Sequence, residues 1–238
     1  LAMAYAGAAG ETEAEMRTAL RYHLPDDRLH PAFNHLDQEL SRRGQGAQGK
    51  DEDGFRLNVV NAAWGQDGYP FLTGYLDVLA RNYGAGLRIL DFVGNPEGSR
   101  NTINDWVEEQ TEERIQDLIP QGAIDELTRL VLTNAVYFNA AWESQFEEGA
   151  TSGAPFHLLD GSEVEVPMMR QMASFGHYRG SNYHAVELPY DGREISMVIL
   201  VPDKGEFYRF EEELNHELAR EAVDNLQRTE VRFSMPRF

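Results

Sequence analysis

Residues 130–138, LVLTNAVYF, restrict the possible folds of this chain more than any other stretch. In an extended strand, alternate side chains point to opposite faces of the sheet. One face would carry Leu130, Leu132, Asn134, Val136 and Phe138, and the other Val131, Thr133, Ala135 and Tyr137. Because both faces are largely apolar, the segment is predicted to be a central strand that is covered on both sides.

Asn134 is the unusual residue of this strand, because its amide would then be buried. Leaving a buried amide unpaired costs about 1–3 kcal/mol, so Asn134 is expected to have polar partners. Two interpretations stay open. The amide either completes a structural hydrogen-bond network, or belongs to a network located where the sheet opens and closes.

The spacing of apolar residues along the rest of the chain predicts helices and strands in mixture. The predicted helices cover residues 11–20, 31–40, 70–83, 99–119 and 210–226. Strands are expected at 57–64, 87–92, 130–138 and repeatedly from residue 164 onward, with a surface loop at 45–54. The helix at 99–119 should end at Pro120 and Gly122 and cover one face of the strand at 130–138. The predicted class is α+β.

Charge and composition exclude several functions. The chain has 40 acidic and 21 basic residues and a net charge of -19, which disfavours nucleic acid as a partner. No apolar run approaches the roughly 18 residues of a membrane span, so no membrane partner is expected. The chain contains no cysteine, hence no disulfide and no thiolate nucleophile. Its acidic composition is compatible with a high-salt habitat, whereas codon usage explains only the preference for Arg over Lys.

Motifs for catalysis or metal binding are not found in the sequence. The seven histidines lack the HExxH spacing, and the chain has no P-loop, GxGxxG or GxSxG motif. His177 and His184 flank a predicted hairpin and are interpreted as surface or cross-strand imidazoles, not as metal ligands. Asp91, Glu187 and Asp191 are considered as catalytic carboxylates, but isolated acids in a chain with 40 of them are usually solvated, and we interpret them so. We therefore expect no catalytic residue, no metal site and no cofactor.

Four segments resemble the serpin family, in the order in which that family has them. They are NTINDWVEEQTEERIQDLI, LVLTNAVYFNAAWESQFEEGATSGAPFHLLDGSEVEVPMM, VELPYDGREISMVILVPD and VRFSMPRF. The spacing from Asn134 through Phe138 and Trp142 to the Pro167-Met168-Met169 triplet is highly specific. The resemblance covers the whole chain and implies a single serpin domain over residues 1–238.

This resemblance implies a serpin fold with a large antiparallel-rich sheet, smaller sheets and surrounding helices. The strand at 130–138 would be the one beside which the reactive loop inserts. Asn134 corresponds to the asparagine of the family's shutter region, near the middle of the sheet, and Trp142 to the tryptophan of the breach, where insertion begins. Thr133 and Phe138 are assigned to the same shutter and breach set.

The resemblance also implies a function. The expected protein is not an enzyme but an inhibitor that traps a serine endopeptidase as a covalent acyl-enzyme. The alternative is a non-inhibitory serpin that acts as a binding or carrier protein. An extracellular, monomeric protein is expected. The chain is expected to be truncated, without the family's first helix and its C-terminal reactive-loop region, and so without the residue that selects the protease.

Overall fold

A computed structural model describes residues 1–49 and 54–237 and confirms the α+β class. The helices are α1 (Ala2–Tyr5), α2 (Gly10–Ala19), α3 (Asp26–Ser41), α4 (Thr73–Tyr83), α5 (Pro96–Gln110), α6 (Phe207–Glu213) and α7 (His216–Asp224). The strands are β1 (Arg56–Gln66), β2 (Leu87–Leu90), β3 (Leu130–Asn139), β4 (Ser152–His157), β5 (Glu163–Arg179), β6 (Tyr183–Pro189), β7 (Ser196–Pro202) and β8 (Gln227–Pro236). Part of the loop predicted at 45–54 lies outside the described residues.

The helix predicted at 99–119 is shorter than expected, because α5 ends at Gln110. The buried Thr111 directly after it donates its hydroxyl to the Val107 carbonyl and accepts the amide of Ile115. Glu112 and Glu113 then adopt left-handed backbone conformations, with φ of 52° and 60°. Two consecutive left-handed residues are incompatible with a right-handed helix, so the apolar spacing beyond Gln110 was misleading.

The helix predicted at 210–226 is in fact two helices, α6 and α7. Leu214 is extended, with ψ of 117°, and this interrupts the helical backbone. The side chain of Asn215 then caps α7 by accepting the amides of Glu217 and Leu218. Asparagine is among the residues preferred at this position, so α7 begins as a separate helix.

The described residues divide into two units, of which the first comprises Leu1–Arg43 and Arg56–Phe138. Its sheet has the strand order β2-β1-β3, and β1 runs parallel to β2. At one end of β1 the Gln66 amide donates to the Arg129 carbonyl, and at the other Arg56 donates to the Tyr137 hydroxyl. These two contacts show that β1 and β3 are antiparallel.

Helix α5 covers one face of this sheet, as predicted. Ile103 of α5 belongs to the same buried cluster as Trp64 of β1, and Trp106 and Val131 pack against that cluster. This arrangement buries the side of β3 that carries Thr133 and Ala135.

The opposite face of β3 is only partly covered, so the prediction of cover on both sides is wrong from Asn134 to Phe138. Leu132 on this face is half-buried and packs against a cluster that includes Met3 of α1 and Leu79 of α4. Asn134 is exposed, as are Val136 and Phe138, at 53% and 39% of their surface. Near Asn134 this face borders a cavity of about 360 Å³, whose lining includes Leu36 and Leu40 of α3. Apolar composition therefore indicated a strand that can be covered on both sides, although among the described residues the second face is covered only near Leu132.

The second unit comprises Gly44–Phe55 and Asn139–Phe238. Its sheet has the order β4-β5-β6-β7, and β8 also pairs with β5. Each of these pairings is antiparallel. The core of the sheet contains Phe175, Val186, Leu188, Phe233 and Met235, against which Trp142 and Phe146 pack.

Candidate functional site

Thr133 joins β3 to β1 through a buried hydrogen bond. The indole Nε1 of Trp64 donates to Thr133 Oγ1 over 3.1 Å, and the two residues are 2% and 4% exposed. The Trp64 ring also meets Trp106 edge-to-face, with the ring centroids 5.4 Å apart. Because a buried indole N–H requires an acceptor, the Thr133 hydroxyl has a structural role beneath α5.

Asn134 makes the corresponding contact on the opposite face of the two strands. Its Nδ2 donates to Asn61 Oδ1 of β1 over 2.9 Å. The prediction that Asn134 has a polar partner is correct, but the prediction that the amide is buried is wrong. Since water reaches the pair, breaking it costs less than orphaning a buried amide would.

The Asn61–Asn134 pair lines the cavity beside β3. The other lining residues are Leu1, Ala2, Met3, Leu20, Tyr22, Phe33, Leu36, Asp37, Leu40, Val59, Asn82 and Tyr83. One bond between two amides leaves each of them with further donor and acceptor capacity. Each amide of the pair can therefore exchange its hydrogen-bond partner without losing every hydrogen bond. A contact that rearranges during a conformational change requires this capacity.

Phe138 and Trp142 lie further along the chain. Phe138 is partly exposed on the same face of β3 as Asn134. Trp142 belongs to the second unit, where its ring stacks on Tyr190 with centroids 4.4 Å apart and planes within 13°. Trp142 and Tyr190 also form an isolated antiparallel bridge, so both backbone and rings hold this contact.

Sequence reasoning missed the partners of these residues. Asn61, Trp64 and Tyr190 contact Asn134, Thr133 and Trp142 respectively. No local signal in the sequence identifies such partners, because they depend on the register between strands that are distant along the chain.

The carboxylates considered as catalytic candidates accept hydrogen bonds within loops and strands. Asp91 accepts the amide of Gly94 and the side chain of Gln66, and these bonds lower the pKa of Asp91. Glu187 accepts the Ser196 hydroxyl, and Asp191 accepts the backbone amide of Gln48. Each carboxylate thus has a local structural partner.

The histidines at the predicted hairpin contact each other across β5 and β6. His177 Nε2 lies 3.0 Å from His184 Nδ1, and burial lowers the pKa of His177. Within residues 1–49 and 54–237, no group of three or more His, Asp or Glu side chains could hold a metal ion. Over the same residues, no helix is both long enough and apolar enough to cross a membrane.

Comparison with known proteins identifies the class. The family described as serpin (serine protease inhibitor) matches residues 1–238, and the chain belongs to this family. A serpin-like protein of Thermococcus kodakarensis is 38% identical over the whole chain, which covers 54% of that protein. Bovine leukocyte elastase inhibitor is 36% identical, again over the whole chain and 63% of its own length. The chain thus spans between about half and two thirds of these relatives.

Solved structures agree with this assignment. Loop-cleaved lamprey angiotensinogen is similar with a TM-score of 0.84 and 26% identity, over 100% of this chain and 67% of that one. Emu ovalbumin has a TM-score of 0.86 over 99% of this chain and 63% of its own, and its 24% identity supports the fold alone. The predicted serpin fold is therefore confirmed.

Proposed function

We propose that the intact protein inhibits a serine endopeptidase by inserting its cleaved reactive loop beside β3. The observation that supports this most directly is the position of β3 in its sheet. In the described part of the chain β3 has β1 as its only strand neighbour, in the order β2-β1-β3. The edge of such a strand presents backbone N–H and C=O groups to which a further strand can bond.

The proposed reaction begins as ordinary proteolysis. The protease serine Oγ attacks the carbonyl carbon of the bait residue, the peptide C–N bond breaks, and the amine leaves with a proton. The bait residue then remains esterified to the protease. Insertion of the freed loop carries the protease away and distorts it before water can hydrolyse the ester.

In this proposal the Asn61–Asn134 pair is the polar contact that changes when the sheet opens. The pair is within hydrogen-bond distance and reachable by solvent, so an inserted strand could take over its donors and acceptors. Thr133 would keep β3 fixed to β1 through Trp64 during the change. Phe138 and Trp142 would belong to the region where insertion starts. We assign all of these residues to a single serpin domain.

The test uses the intact protein and proteases of trypsin-like, chymotrypsin-like and subtilisin-like specificity. Inhibition predicts a band at the summed mass on denaturing gels, and a cleaved inhibitor with a much higher melting temperature. A protease whose active-site serine has been blocked is the matched control and should give no such band. Cleavage without a covalent band and without a rise in melting temperature would contradict the proposal.

That contradictory outcome would favour the second candidate, a non-inhibitory serpin that binds or carries another molecule. Similarity to loop-cleaved lamprey angiotensinogen, whose name describes no inhibitor, supports this alternative. Similarity to leukocyte elastase inhibitor over the whole chain supports the first candidate. An extracellular location and a monomeric state stay predictions.

A further inference from the structure

The outer face of β5 and β8 carries three arginines. The strand register places Arg170 opposite Ser234, Met172 opposite Arg232, and Gly176 opposite Arg228. Side chains at the alternate positions of these strands, such as Phe233, belong to the buried core. Because side chains alternate along a strand, the three arginines and Met172 project from the opposite side of the sheet. We call this surface the arginine face; it consists of Arg170, Met172, Ser174, Arg228, Glu230, Arg232 and Ser234.

The charge of the arginine face is not neutralised by ion pairs. Among the described residues, no carboxylate lies within 4.0 Å of the guanidinium of Arg170, Arg228 or Arg232. By contrast, Arg220 on α7 forms an ion pair with Asp224 at 3.2 Å. Arg170 donates instead to the Ser152 hydroxyl, and Arg228 to the Ser174 carbonyl. In a chain with a net charge of -19, this positive surface is opposite in sign to the whole.

An apolar side chain lies between these guanidinium groups. Met172 is 60% exposed and lies directly across the strand pair from Arg232. Arg170 is two residues away on the same face, about 7 Å along the strand. Arginine and methionine are both enriched at protein interfaces, and arginine is among the residues on which binding energy concentrates.

We propose that the arginine face binds an acidic segment of a partner protein, in which an apolar side chain is flanked by carboxylates. The apolar side chain would contact Met172, while the carboxylates would accept paired hydrogen bonds from Arg170 and Arg232. This interaction does not require a reactive loop, so it is independent of the proposed function.

The face is less suitable for a polyanion such as a sulfated polysaccharide or a nucleic acid. Polyanion binding favours a continuous row of cations, and Glu230 lies between Arg228 and Arg232 on the same strand face. The overall charge of -19 would also repel a long anionic chain that extends beyond the three arginines. A protein segment of limited length can contact Arg170, Met172 and Arg232 without crossing Glu230, and it does not extend onto the acidic remainder of the surface.

The test measures binding of a fluorescent peptide, EELEE, to the intact protein by anisotropy. Wild type should bind EELEE, more weakly as salt rises above roughly 0.15 M, and should not bind the uncharged analogue QQLQQ. The variants Arg232→Gln and Met172→Ala should each weaken binding by about fivefold or more. Arg220→Gln removes the same charge from an arginine that already has a carboxylate partner, and should leave binding unchanged.

Arg232→Lys provides a second check, because it keeps the charge but loses the planar fork. We expect this variant to bind with intermediate affinity. The proposal is overturned if Arg232→Gln and Arg220→Gln bind EELEE equally, or if the wild type shows no binding up to about 1 mM peptide. Tight binding of heparin that is insensitive to Met172→Ala would overturn it in favour of a polyanion site.

Discussion

The indole N–H of Trp64 donates to the hydroxyl of Thr133 across the buried interface of β1 and β3. Both residues are almost fully enclosed beneath α5, so water cannot replace either partner. The contact therefore adds to the pairing of the two strands a buried hydrogen bond that one hydroxyl group supplies.

Replacing Thr133 with valine should destabilise the protein by about 1–3 kcal/mol, because the isosteric side chain leaves the Trp64 N–H without an acceptor. The measurement is the free energy of unfolding from urea titration of the intact protein. Thr133→Ser, which keeps the hydroxyl, is the control and should lose less stability than Thr133→Val. Equal losses in the two variants would mean that packing of the methyl group, not the hydrogen bond, dominates.

The Asn61–Asn134 pair should show a smaller effect on stability, because it is exposed. We expect Asn134→Ala to cost no more than about 1 kcal/mol in the uncleaved protein, with a measurable coupling to Asn61→Ala in a double-mutant cycle. If the pair also controls sheet opening, Asn134→Ala should promote polymers on heating, visible on native gels. Unchanged polymer formation would limit Asn134 to a local structural role.

His30 should make stability depend on pH. It is buried in α3 with Nδ1 2.7 Å from the Tyr83 hydroxyl, and burial lowers the pKa of His30, partly opposed by Asp26. The folded state then binds a proton less readily than the unfolded state does. The contribution of neutral His30 to the stability of the folded state is therefore complete above the ordinary pKa of about 6.5. This contribution is lost as the pH falls below that value.

The measurement for His30 is the melting temperature between neutral pH and pH of about 5. His30→Gln should reduce the drop on acidification. His35→Gln, an exposed substitution on the same helix, should leave the drop unchanged. If the two variants behave alike, the pH dependence comes from groups other than His30.

The stacked rings of Trp142 and Tyr190 should contribute more to the free energy of unfolding than burial of their apolar surface alone would. Trp142→Phe keeps an aromatic ring at this position, whereas Trp142→Leu keeps only apolar volume. We expect the leucine variant to be less stable than the phenylalanine variant by about 0.5–1.5 kcal/mol in chemical unfolding. Equal stability would show that volume, not ring stacking, holds this position.

The backbone after α5 offers a stabilising substitution. Glu113 has a φ of 60°, a conformation that glycine adopts without steric cost. Glu113→Gly should leave stability unchanged or raise it by up to about 1 kcal/mol, whereas Glu109→Gly inside α5 should lower it by about 0.5–1 kcal/mol. Thermal melts of both variants test this. A loss at Glu113 similar to that at Glu109 would contradict it.

Much of the fold was predictable from residue order. Alternation and apolar spacing identified β3, the short β2 and the helices α2 to α4, because these signals depend only on neighbours within one element. The same signals failed after Gln110 and at Leu214, where the chain turns. At those points Thr111 and Asn215 satisfy backbone groups with their side chains, and apolar periodicity does not register such local bonds.

Some features of the candidate site were likewise predictable from the sequence, and others were not. The sequence by itself predicted that Asn134 has a polar partner and that the chain resembles serpins, since both follow from residue types at definite spacings. Only the tertiary structure decided that the partner is Asn61, that Trp64 donates to Thr133, and that Asn134 faces a cavity. The physical reason is that strand register and the cover of each sheet face arise from packing between distant segments, which leaves no local trace in residue order.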